Sequence, residues 1–332
     1  MTAAYVTALG DAGNITVAPL PMPVIGPGDV LVRVEAVAVN PADGYVRSGR
    51  FGAAPPMPYI VGTDLVGTVV EAGPRSTGFR PGQRVWCNSM GRQGRQGPTA
   101  QYAAVPADRL YHLPDGVDPT AAVALAQPAG TAYLGWFVHA RLRPGETVFV
   151  GGGAGNVGTA AIQLAVQAGA RVIASARAED HQRCRSAGAA TVLDYRDPDL
   201  AECIARHAPD GVDVVWQTSG HHDFDLVTRV AGAGCRVVVT AVSGDPAVPL
   251  SRLYANDVAI LGFVISLAAV ADLADAAAMI NPMLAAGRLT TRIAAVLPLA
   301  RTAEAHRLIE AGGVRGRLII DCAADTAAPD TD

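Results

Sequence analysis

The feature that most constrains this chain is a run of glycines between an apolar segment and a helix-forming segment. Residues 147–150 are apolar, and Gly153, Gly155 and Gly158 follow with the spacing GxGxxG. In this pattern the first glycine allows a tight turn, the second lets backbone approach a pyrophosphate, and the third lets a helix pack on the strand. The backbone amides at Ala154, Asn156 and Val157 would then face the anion. The pattern predicts a dinucleotide-binding loop.

The segments after residue 128 strengthen this interpretation. A glycine-rich turn is an ordinary alternative in a chain with 36 glycines. Here, however, a helical segment at about 156–168 follows the loop, and further apolar runs alternate with segments long enough for helices. Such alternation predicts a doubly wound parallel sheet. The predicted strands cover residues 147–150, 171–174, 191–193, 212–216 and 236–240.

The first third of the chain has a different pattern. In residues 29–40, Val30, Val32 and Val34 alternate with Leu31, Arg33 and Glu35, which indicates a strand with one buried face. Turn signals recur at residues 26–28, 73–74 and 81–82. These features predict a barrel or a strongly bent sheet. Past residue 265 we expect helices at about 268–286 and 302–311, then a closing strand at 316–321.

Length and composition exclude several classes of protein. A chain of 332 residues favours two domains. The net charge is −4 and no basic block appears, so we expect no nucleic-acid partner. No apolar stretch reaches the roughly 20 residues of a membrane helix, and the N-terminus has no signal pattern, so we expect no membrane partner and a cytoplasmic location. The five cysteines form no CxxC pair, and we expect free thiols and no metal site.

The cofactor type is predicted from the end of the second parallel strand. Enzymes that use NAD usually place an acid about 20 residues after the glycine loop, where it binds the ribose hydroxyls. Here that strand ends in Ser175, Ala176 and Arg177, and a hydroxyl with a guanidinium suits a 2′-phosphate. We therefore expect NADPH. Two acids slightly further on, Glu179 and Asp180, leave NAD open.

Several motifs in order resemble one family. They are NPADGYVRSG at 40–49, GTDLVG at 62–67, EAG at 71–73, FRPGQRV at 79–85, the glycine loop, and GVRGR at 313–317. Together they resemble the zinc-free quinone oxidoreductase branch of the medium-chain dehydrogenase/reductase superfamily. The resemblance implies an α/β chain with a GroES-like β-rich substrate domain at 1–125 and 266–332. It also implies a Rossmann NADPH-binding domain at 126–265, and a homodimer that pairs through the apolar strand near 259–264.

The resemblance implies hydride transfer from NADPH to a small electrophile, either a quinone or the C=C bond of an α,β-unsaturated carbonyl. Zinc-dependent alcohol dehydrogenases of the superfamily carry a cysteine near the position of Asn40, a His-Glu pair near Thr63 and Asp64, and a four-cysteine lobe near 90–110. This chain lacks all of these. Residues 90–98 (MGRQGRQGP) instead indicate a polar, flexible loop. Conjugated acceptors are electrophilic without a metal, so the implied reaction is zinc-independent.

The resemblance also assigns candidate site residues. Asn40, Asp43 and Tyr45 fall at pocket-lining positions, and Tyr45 is the candidate hydrogen-bond or proton donor to the substrate oxygen. Packing alone is the alternative for Tyr45, orientation of the loop or substrate for Asn40, and capping of backbone amides for Asp43. A second tyrosine of the family is replaced by Phe51, which weakens the case for quinones. Tyr59 and Tyr254 are possible substitutes.

On the cofactor side, the resemblance places Thr131 against the nicotinamide ribose or carboxamide, a role compatible with a helix N-cap. Tyr195 corresponds to a residue beside the adenosine phosphate. The usual lysine near His181 is absent, and Arg177, His181 and Arg183 are the candidates to replace it.

Two other functions remain open. The first is an enoyl-thioester reductase or a tailoring enone or ketone reductase of secondary metabolism, which has the same hydride chemistry. The second is a non-catalytic structural protein that binds a nucleotide.

Overall fold

A computed structural model describes residues 1–50 and 55–323, so Phe51 lies outside the described residues. The chain divides into two compact units. Unit 1 comprises the described parts of Met1–Gln127, Ala277–Gly287 and Thr291–Asp332. Unit 2 comprises Pro128–Ala276 and Arg288–Thr290. Unit 2 is therefore inserted in unit 1, and its main segment extends past the boundary expected at residue 265.

The described part of the chain contains strands whose bounds we give in chain order. They are β1 (Thr2–Val6), β2 (Thr16–Pro19), β3 (Asp29–Ala38), β4 (Tyr59–Ile60), β5 (Leu65–Ala72), β6 (Arg84–Cys87), β7 (Tyr102–Pro106), β8 (Tyr111–His112), β9 (Thr147–Gly151), β10 (Arg171–Ala176), β11 (Thr191–Asp194), β12 (Val212–Gln217), β13 (Ala231–Val239), β14 (Ala259–Gly262), β15 (Ile293–Pro298) and β16 (Arg317–Asp321).

The α-helices are mostly short and occur in both units. They are α1 (Pro41–Arg47), α2 (Pro119–Tyr133), α3 (Asn156–Gln167), α4 (His181–Ser186), α5 (Leu200–His207), α6 (Phe224–Val230), α7 (Leu250–Leu253), α8 (Val270–Ala285) and α9 (Thr302–Ala311). A π-helical segment, Leu134–His139, continues directly from α2.

Unit 2 is built on a six-stranded sheet with the order β11-β10-β9-β12-β13-β14. All of its neighbouring strands are parallel. This is the order of a Rossmann fold, with the first strand of the unit, β9, inside the sheet. Because the strands are parallel, their carboxyl ends meet at one edge, where the loops after β9, β10 and β11 lie together. The predicted doubly wound sheet is confirmed.

Unit 1 contains a seven-stranded sheet with the order β15-β16-β3-β5-β6-β8, in which β7 also pairs with β3, and a three-stranded sheet β2-β1-β4. Its β-rich character agrees with the pattern of the first third of the sequence. The long strand β3 pairs with β16, β5 and β7. Leu31, which we expected on the exposed face of β3, is 9% exposed, whereas Arg33 is exposed as expected.

Each unit has its own apolar core. Residues of β3, β5, β6 and β16, including Val32, Leu65, Val85 and Ile320, form the core of unit 1. The core of unit 2 contains Phe149, Ile173, Val215 and Val237 from four parallel strands, with side chains from the helices on the sheet. The β-branched residues in these strands favour the pleated, buried positions that they occupy.

The segment at 90–98 differs from the flexible loop that its polar composition indicated. The Gly91 amide donates to the Gln96 carbonyl oxygen at 3.1 Å, and the Tyr59 hydroxyl donates to the Gly91 carbonyl oxygen at 3.0 Å. Gln96 also accepts from the Ile60 amide and donates to the Pro58 carbonyl oxygen. Positive φ angles at Gly91, Gln93 and Gly94 turn the chain back on itself. The loop is therefore held at both ends.

In the described residues we find no helix that is long and apolar enough to cross a membrane.

Candidate functional site

The loop after β9 has the backbone that the glycine spacing predicts. Gly152 has a φ of 72°, which favours glycine, and the next amide, of Gly153, donates to the Ser175 carbonyl oxygen at 2.9 Å. The Thr159 hydroxyl donates to the Gly153 carbonyl oxygen at 3.2 Å. These bonds hold the loop between the end of β10 and the first turn of α3.

The glycines of this loop fill the roles that a bound diphosphate requires. A Cβ at Gly158 would lie 2.2 Å from the Gly152 carbonyl oxygen, so only glycine allows α3 to approach the loop this closely. At Gly155, which is exposed, a Cβ would meet only the Gly152 carbonyl oxygen, at 3.2 Å. That side of the loop is therefore open to a ligand. The geometry fits the close approach of a phosphate to backbone.

The N-terminus of α3 supplies donors at the same place. The helix has twelve residues and starts at Asn156, with Gly155 as the N-cap. The first amides of a helix have no partner within it, and the helix dipole favours an anion there. Ala154, Asn156 and Val157 are half-buried around this end. The loop and helix together offer the backbone donors that an anion site in a dinucleotide-binding fold requires.

The ends of β10 and β11 form the second part of the site. Ala176 and Asp194 are register partners, so Arg177 and Tyr195 follow side by side at the carboxyl edge. The Arg177 Nε donates to the Tyr195 hydroxyl at 3.4 Å, and both side chains are exposed. This hydrogen bond raises the pKa of Arg177, which stays charged. Ser175 is buried at 2% exposure, and its carbonyl oxygen holds the glycine loop.

Three acids lie near Arg177, namely Glu179, Asp180 and Asp194. Asp194 accepts two hydrogen bonds from the Arg196 side chain, at 3.1 and 2.9 Å, and one from its backbone amide, and these bonds lower the pKa of Asp194 to about 2. Asp180 is buried at the start of α4, and His181 contacts the Ala176 carbonyl oxygen at 3.3 Å through Nε2. Glu179 is exposed and raises the pKa of Arg177. The exposed surface after β10 thus presents the Arg177 guanidinium, the Tyr195 phenol and the Glu179 carboxylate.

Thr131 lies inside α2 and is 8% exposed. The sequence allowed it to be an N-cap, and this is wrong because the helix begins twelve residues earlier, at Pro119. The apolar helix continues through Pro128.

In unit 1, Asn40 and Asp43 are joined by a reciprocal cap at the start of α1. The Asn40 amide donates to Asp43 Oδ2 at 2.8 Å, and the Asp43 amide donates to the Asn40 carbonyl oxygen at 3.0 Å. Both residues are 1% exposed. The geometry therefore supports amide capping for Asp43 and orientation of the loop for Asn40, and it gives neither side chain direct access to solvent.

The two residues belong to a larger buried cluster that includes Thr63, Asp64 and Arg317. Arg317 donates to Asn40 Oδ1 at 2.8 Å and lies 3.5 Å from Asp64 Oδ2. Asn40 Nδ2 lies 3.0 Å from the same Asp64 oxygen, and the Thr63 hydroxyl is 3.0 Å from Asp43 Oδ1. All five residues are at most 3% exposed. We call this group the buried polar cluster.

Burial changes the protonation of the cluster. It raises the pKa of Asp43 to about 6 and that of Asp64 to about 7, because the low dielectric disfavours their charged forms. Arg317 and the hydrogen bonds of Asn40 and Thr63 counteract this effect in part. Burial also lowers the pKa of Arg317, while the two carboxylates raise it.

Tyr45 is separated from this cluster by the geometry of α1. It follows Asp43 by two residues, so the two side chains leave the helix about 200° apart. Tyr45 is 38% exposed, and the Arg50 guanidinium lies 5.6 Å from the centre of its ring. Tyr45 and Arg50 line a cavity of about 460 Å³ within unit 1, together with Gly10, Asp11, Pro41, Gly44, Arg47, Ser48, Ile309 and Glu310.

Tyr59 and Tyr254, the possible substitutes for the family's second tyrosine, lie in different environments. Tyr59 is fully buried and donates to the Gly91 carbonyl oxygen, and its pKa is raised by burial. Tyr254 is 79% exposed in unit 2.

Sequence reasoning missed Thr63, Asp64 and Arg317 as members of one cluster. They were quoted only as parts of motifs, and Arg317 is 253 residues from Asp64. A signal was present, because Arg317 directly precedes the apolar run Leu318, Ile319 and Ile320, and a charge in such a strand must be paired.

Within residues 1–50 and 55–323, no three His, Cys, Asp or Glu side chains converge as a metal site. The five cysteines are buried and unbridged.

Comparisons with known proteins agree with this architecture. Residues 26–115 match the alcohol dehydrogenase GroES-like domain, and residues 156–281 match the zinc-binding dehydrogenase family. The chain is 29% identical to the mouse (Mus musculus) quinone oxidoreductase over 304 residues, which are 90% of this chain and 91% of that protein.

Two solved structures are similar over nearly the whole chain. An NAD-dependent alcohol dehydrogenase is 30% identical with a TM-score of 0.87, covering 97% of this chain and 99% of its own. A mycobacterial protein complexed with NADPH is 28% identical with a TM-score of 0.84, covering 97% and 100%. The predicted GroES-like and Rossmann architecture is confirmed. The chain belongs to the quinone oxidoreductase branch of the medium-chain dehydrogenase/reductase superfamily, and it is an oxidoreductase.

Proposed function

We propose that this chain is an NADPH-dependent reductase that delivers hydride to a quinone or to the C=C bond of an α,β-unsaturated carbonyl, without zinc. The observation that carries the proposal is the carboxyl edge of the parallel sheet. There, the open glycine loop lies on the N-terminus of α3, and Arg177 with Tyr195 stands where NAD enzymes place an acid. The solved relatives include one described as NAD-dependent and one complexed with NADPH, so the proposal depends on this chain's own residues.

The residues fit the cofactor in two places. The backbone amides of Ala154, Asn156 and Val157, beside Gly153, Gly155 and Gly158, bind the diphosphate. Arg177, His181 and Tyr195 would hold the 2′-phosphate, with charge from Arg177 and a hydrogen bond from the Tyr195 hydroxyl. Ser175, which is buried, would position the glycine loop through its carbonyl oxygen. Thr131 contacts the nicotinamide end. When bound, the reduced nicotinamide supplies the hydride.

On the substrate side, Tyr45 donates a hydrogen bond to the oxygen that gains negative charge during reduction. Its phenol can donate and accept, and it lines the cavity of unit 1. Donors aimed at a developing oxyanion are the main means by which a metal-free site stabilises the transition state. Asn40 and Asp43 hold the start of α1 and act as positioning residues. The substrate is thus a small, electron-poor molecule.

Turnover across a panel of acceptors tests this function. We expect NADPH oxidation with quinones such as 1,4-naphthoquinone or with enones such as benzalacetone. Faster turnover with enoyl thioesters would instead support the enoyl-thioester alternative. Tight NADPH binding without turnover of any acceptor would support the non-catalytic nucleotide-binding alternative.

Replacement of Tyr45 by Phe tests the proposed donor. We expect kcat to fall by about 100-fold, the lower end of the range for loss of general acid-base catalysis, with little change in stability. Tyr5→Phe is the matched control, because Tyr5 lies on β1 and does not line the cavity, and it should not change kcat. Unchanged turnover in Tyr45→Phe would remove Tyr45 from the mechanism.

We further propose that the protein forms a homodimer through β14. This strand is at the edge of the six-stranded sheet, and Ile260 on it is 42% exposed. Leu250, Tyr254 and Leu267 add exposed apolar surface in the same unit. An unpaired edge with apolar side chains favours strand addition by a second copy. Light scattering should give twice the mass of one chain, and Ile260→Lys should give the mass of one.

A further inference from the structure

The buried polar cluster has too few hydrogen-bond donors to satisfy the oxygens of two ionised carboxylates. The Thr63 Oγ1 lies 3.0 Å from Asp43 Oδ1 and 3.3 Å from Asp64 Oδ1. A hydroxyl carries one hydrogen, so Thr63 can donate to only one of these oxygens. If both carboxylates were ionised, the other oxygen would face a lone pair of Thr63 in a site without water access, which is unfavourable.

The remaining donors do not fill this gap. Asn40 Nδ2 lies within 3.1 Å of three acceptors, the Ala38 carbonyl oxygen, Thr63 Oγ1 and Asp64 Oδ2, and has two hydrogens to offer. Arg317 also contacts Asp64 through Oδ2. Among the described residues, Asp64 Oδ1 therefore has Thr63 as its hydrogen-bond partner.

The charges are compatible with one bound proton. Two carboxylates share one fully buried guanidinium, that of Arg317, which is 2% exposed. Arg92 acts on Asp43 from the 90–98 loop but is only half-buried. The other titratable neighbours are the Tyr59 phenol, near Asp43, and the Cys87 thiol, near Asp64. Burial raises the pKa of both, so they are neutral at pH 7 and add no charge.

We propose that Asp43 and Asp64 hold one proton between them near neutral pH, with the Asp64 carboxyl donating to Thr63 and Thr63 donating to ionised Asp43. The direction follows from the distances, because Thr63 is closer to Asp43, and from the Asn40 amide, which already donates to Asp43. One proton leaves one negative charge, on Asp43, which lies within the influence of both Arg317 and Arg92. Each oxygen of the two carboxyl groups then has a hydrogen-bond partner: a donor for both Asp43 oxygens and for Asp64 Oδ2, and the Thr63 hydroxyl as acceptor for the protonated Asp64 Oδ1.

This proton fixes the start of α1, because Asp43 is the residue that caps Asn40. Loss of the proton would place two negative charges against one hydroxyl hydrogen and weaken that anchor. The direction in which stability changes with pH follows from the pKa values of Asp43 and Asp64, about 6 and 7. Both lie above the value near 3.8 for an exposed Asp. Stability from these groups is therefore full at low pH and is lost as the pH rises from about 4 to about 7.

Infrared spectroscopy of the full-length protein tests the proposal without any substrate. At pH 7 the wild-type protein should show the carbonyl stretch of a protonated carboxyl, and Asp64→Asn should lose most of this band. The control Asp194→Asn, which removes an ionised carboxylate with a pKa near 2, should keep the band. A wild-type spectrum without this band at pH 7, or a band of undiminished intensity in Asp64→Asn, would overturn the proposal.

A second measurement needs no variant of the cluster. Carbon-13 NMR of aspartate carboxyls in the wild-type protein should show one aspartate that stays protonated well above pH 4 and titrates near neutral pH. If all carboxyls titrate below pH 5, the shared proton is absent.

Where Asp64→Asn folds, its amide replaces the protonated carboxyl as donor to Thr63, and the free energy of unfolding should depend less on pH between 5 and 7 than in the wild-type protein.

Discussion

The two polar regions of the chain differ most in their access to water. At the carboxyl edge of unit 2, Arg177 and Tyr195 are exposed and joined by one long hydrogen bond. In unit 1, the buried polar cluster is at most 3% exposed, and its members are bonded to one another. An exposed guanidinium can exchange water for a ligand at little cost, whereas a buried charge is stable only when it is paired. The first region is suited to recognition and the second to positioning.

Removal of the buried cation should have the largest effect. Arg317→Met leaves Asp43 and Asp64 without their fully buried partner, and we expect the free energy of unfolding to fall by about 3–5 kcal/mol. Urea denaturation measures this change. Arg75→Met, at an exposed arginine of the same unit, should have almost no effect. A loss as small as that of the control would mean that the cluster is not held by charge.

Replacement of a closely packed glycine in the cofactor loop should have an intermediate effect. In Gly158→Ala the new Cβ would lie 2.2 Å from the Gly152 carbonyl oxygen, so the loop or α3 must move. We expect the free energy of unfolding to fall by about 1–3 kcal/mol and nucleotide affinity to fall by about 10- to 100-fold. Gly78→Ala, where a Cβ meets nothing within 4 Å, is the matched control. Unaltered affinity in Gly158→Ala would show that the loop does not hold the cofactor.

The smallest effect belongs to an exposed ion pair. Asp194 and Arg196 form a well-aligned pair at the end of β11, yet solvent screens exposed charges. We expect Asp194→Asn to leave the urea midpoint unchanged within the error of measurement. A midpoint shift comparable to that of Arg317→Met would remove the contrast between the exposed and the buried region.

The sequence was most informative where a function depends on local spacing. The GxGxxG run, the strands before and after it and the position of Arg177 at the end of β10 are all near in sequence, and the structure places them as predicted. The strand β15 was not predicted, because Ile293–Pro298 has no regular alternation. Thr131 was misjudged for a related reason, since an apolar helix can continue through a proline when tertiary packing favours it.

The buried polar cluster could not be predicted because its members come from distant segments. Asn40 and Asp43 begin α1, Thr63 and Asp64 precede β5, and Arg317 begins β16. No periodicity relates these positions. The motifs that carry them resembled a family, but the pairing of charges became visible only when the strands were assembled.

Calorimetry with reduced nucleotides tests the central claim most directly. We expect wild-type protein to bind NADPH more tightly than NADH by at least about tenfold, and Arg177→Met to lose most of this preference, while Arg185→Met, at an exposed arginine of α4, keeps it. No uptake of either nucleotide, or tighter binding of NADH by the wild-type protein, would contradict the account.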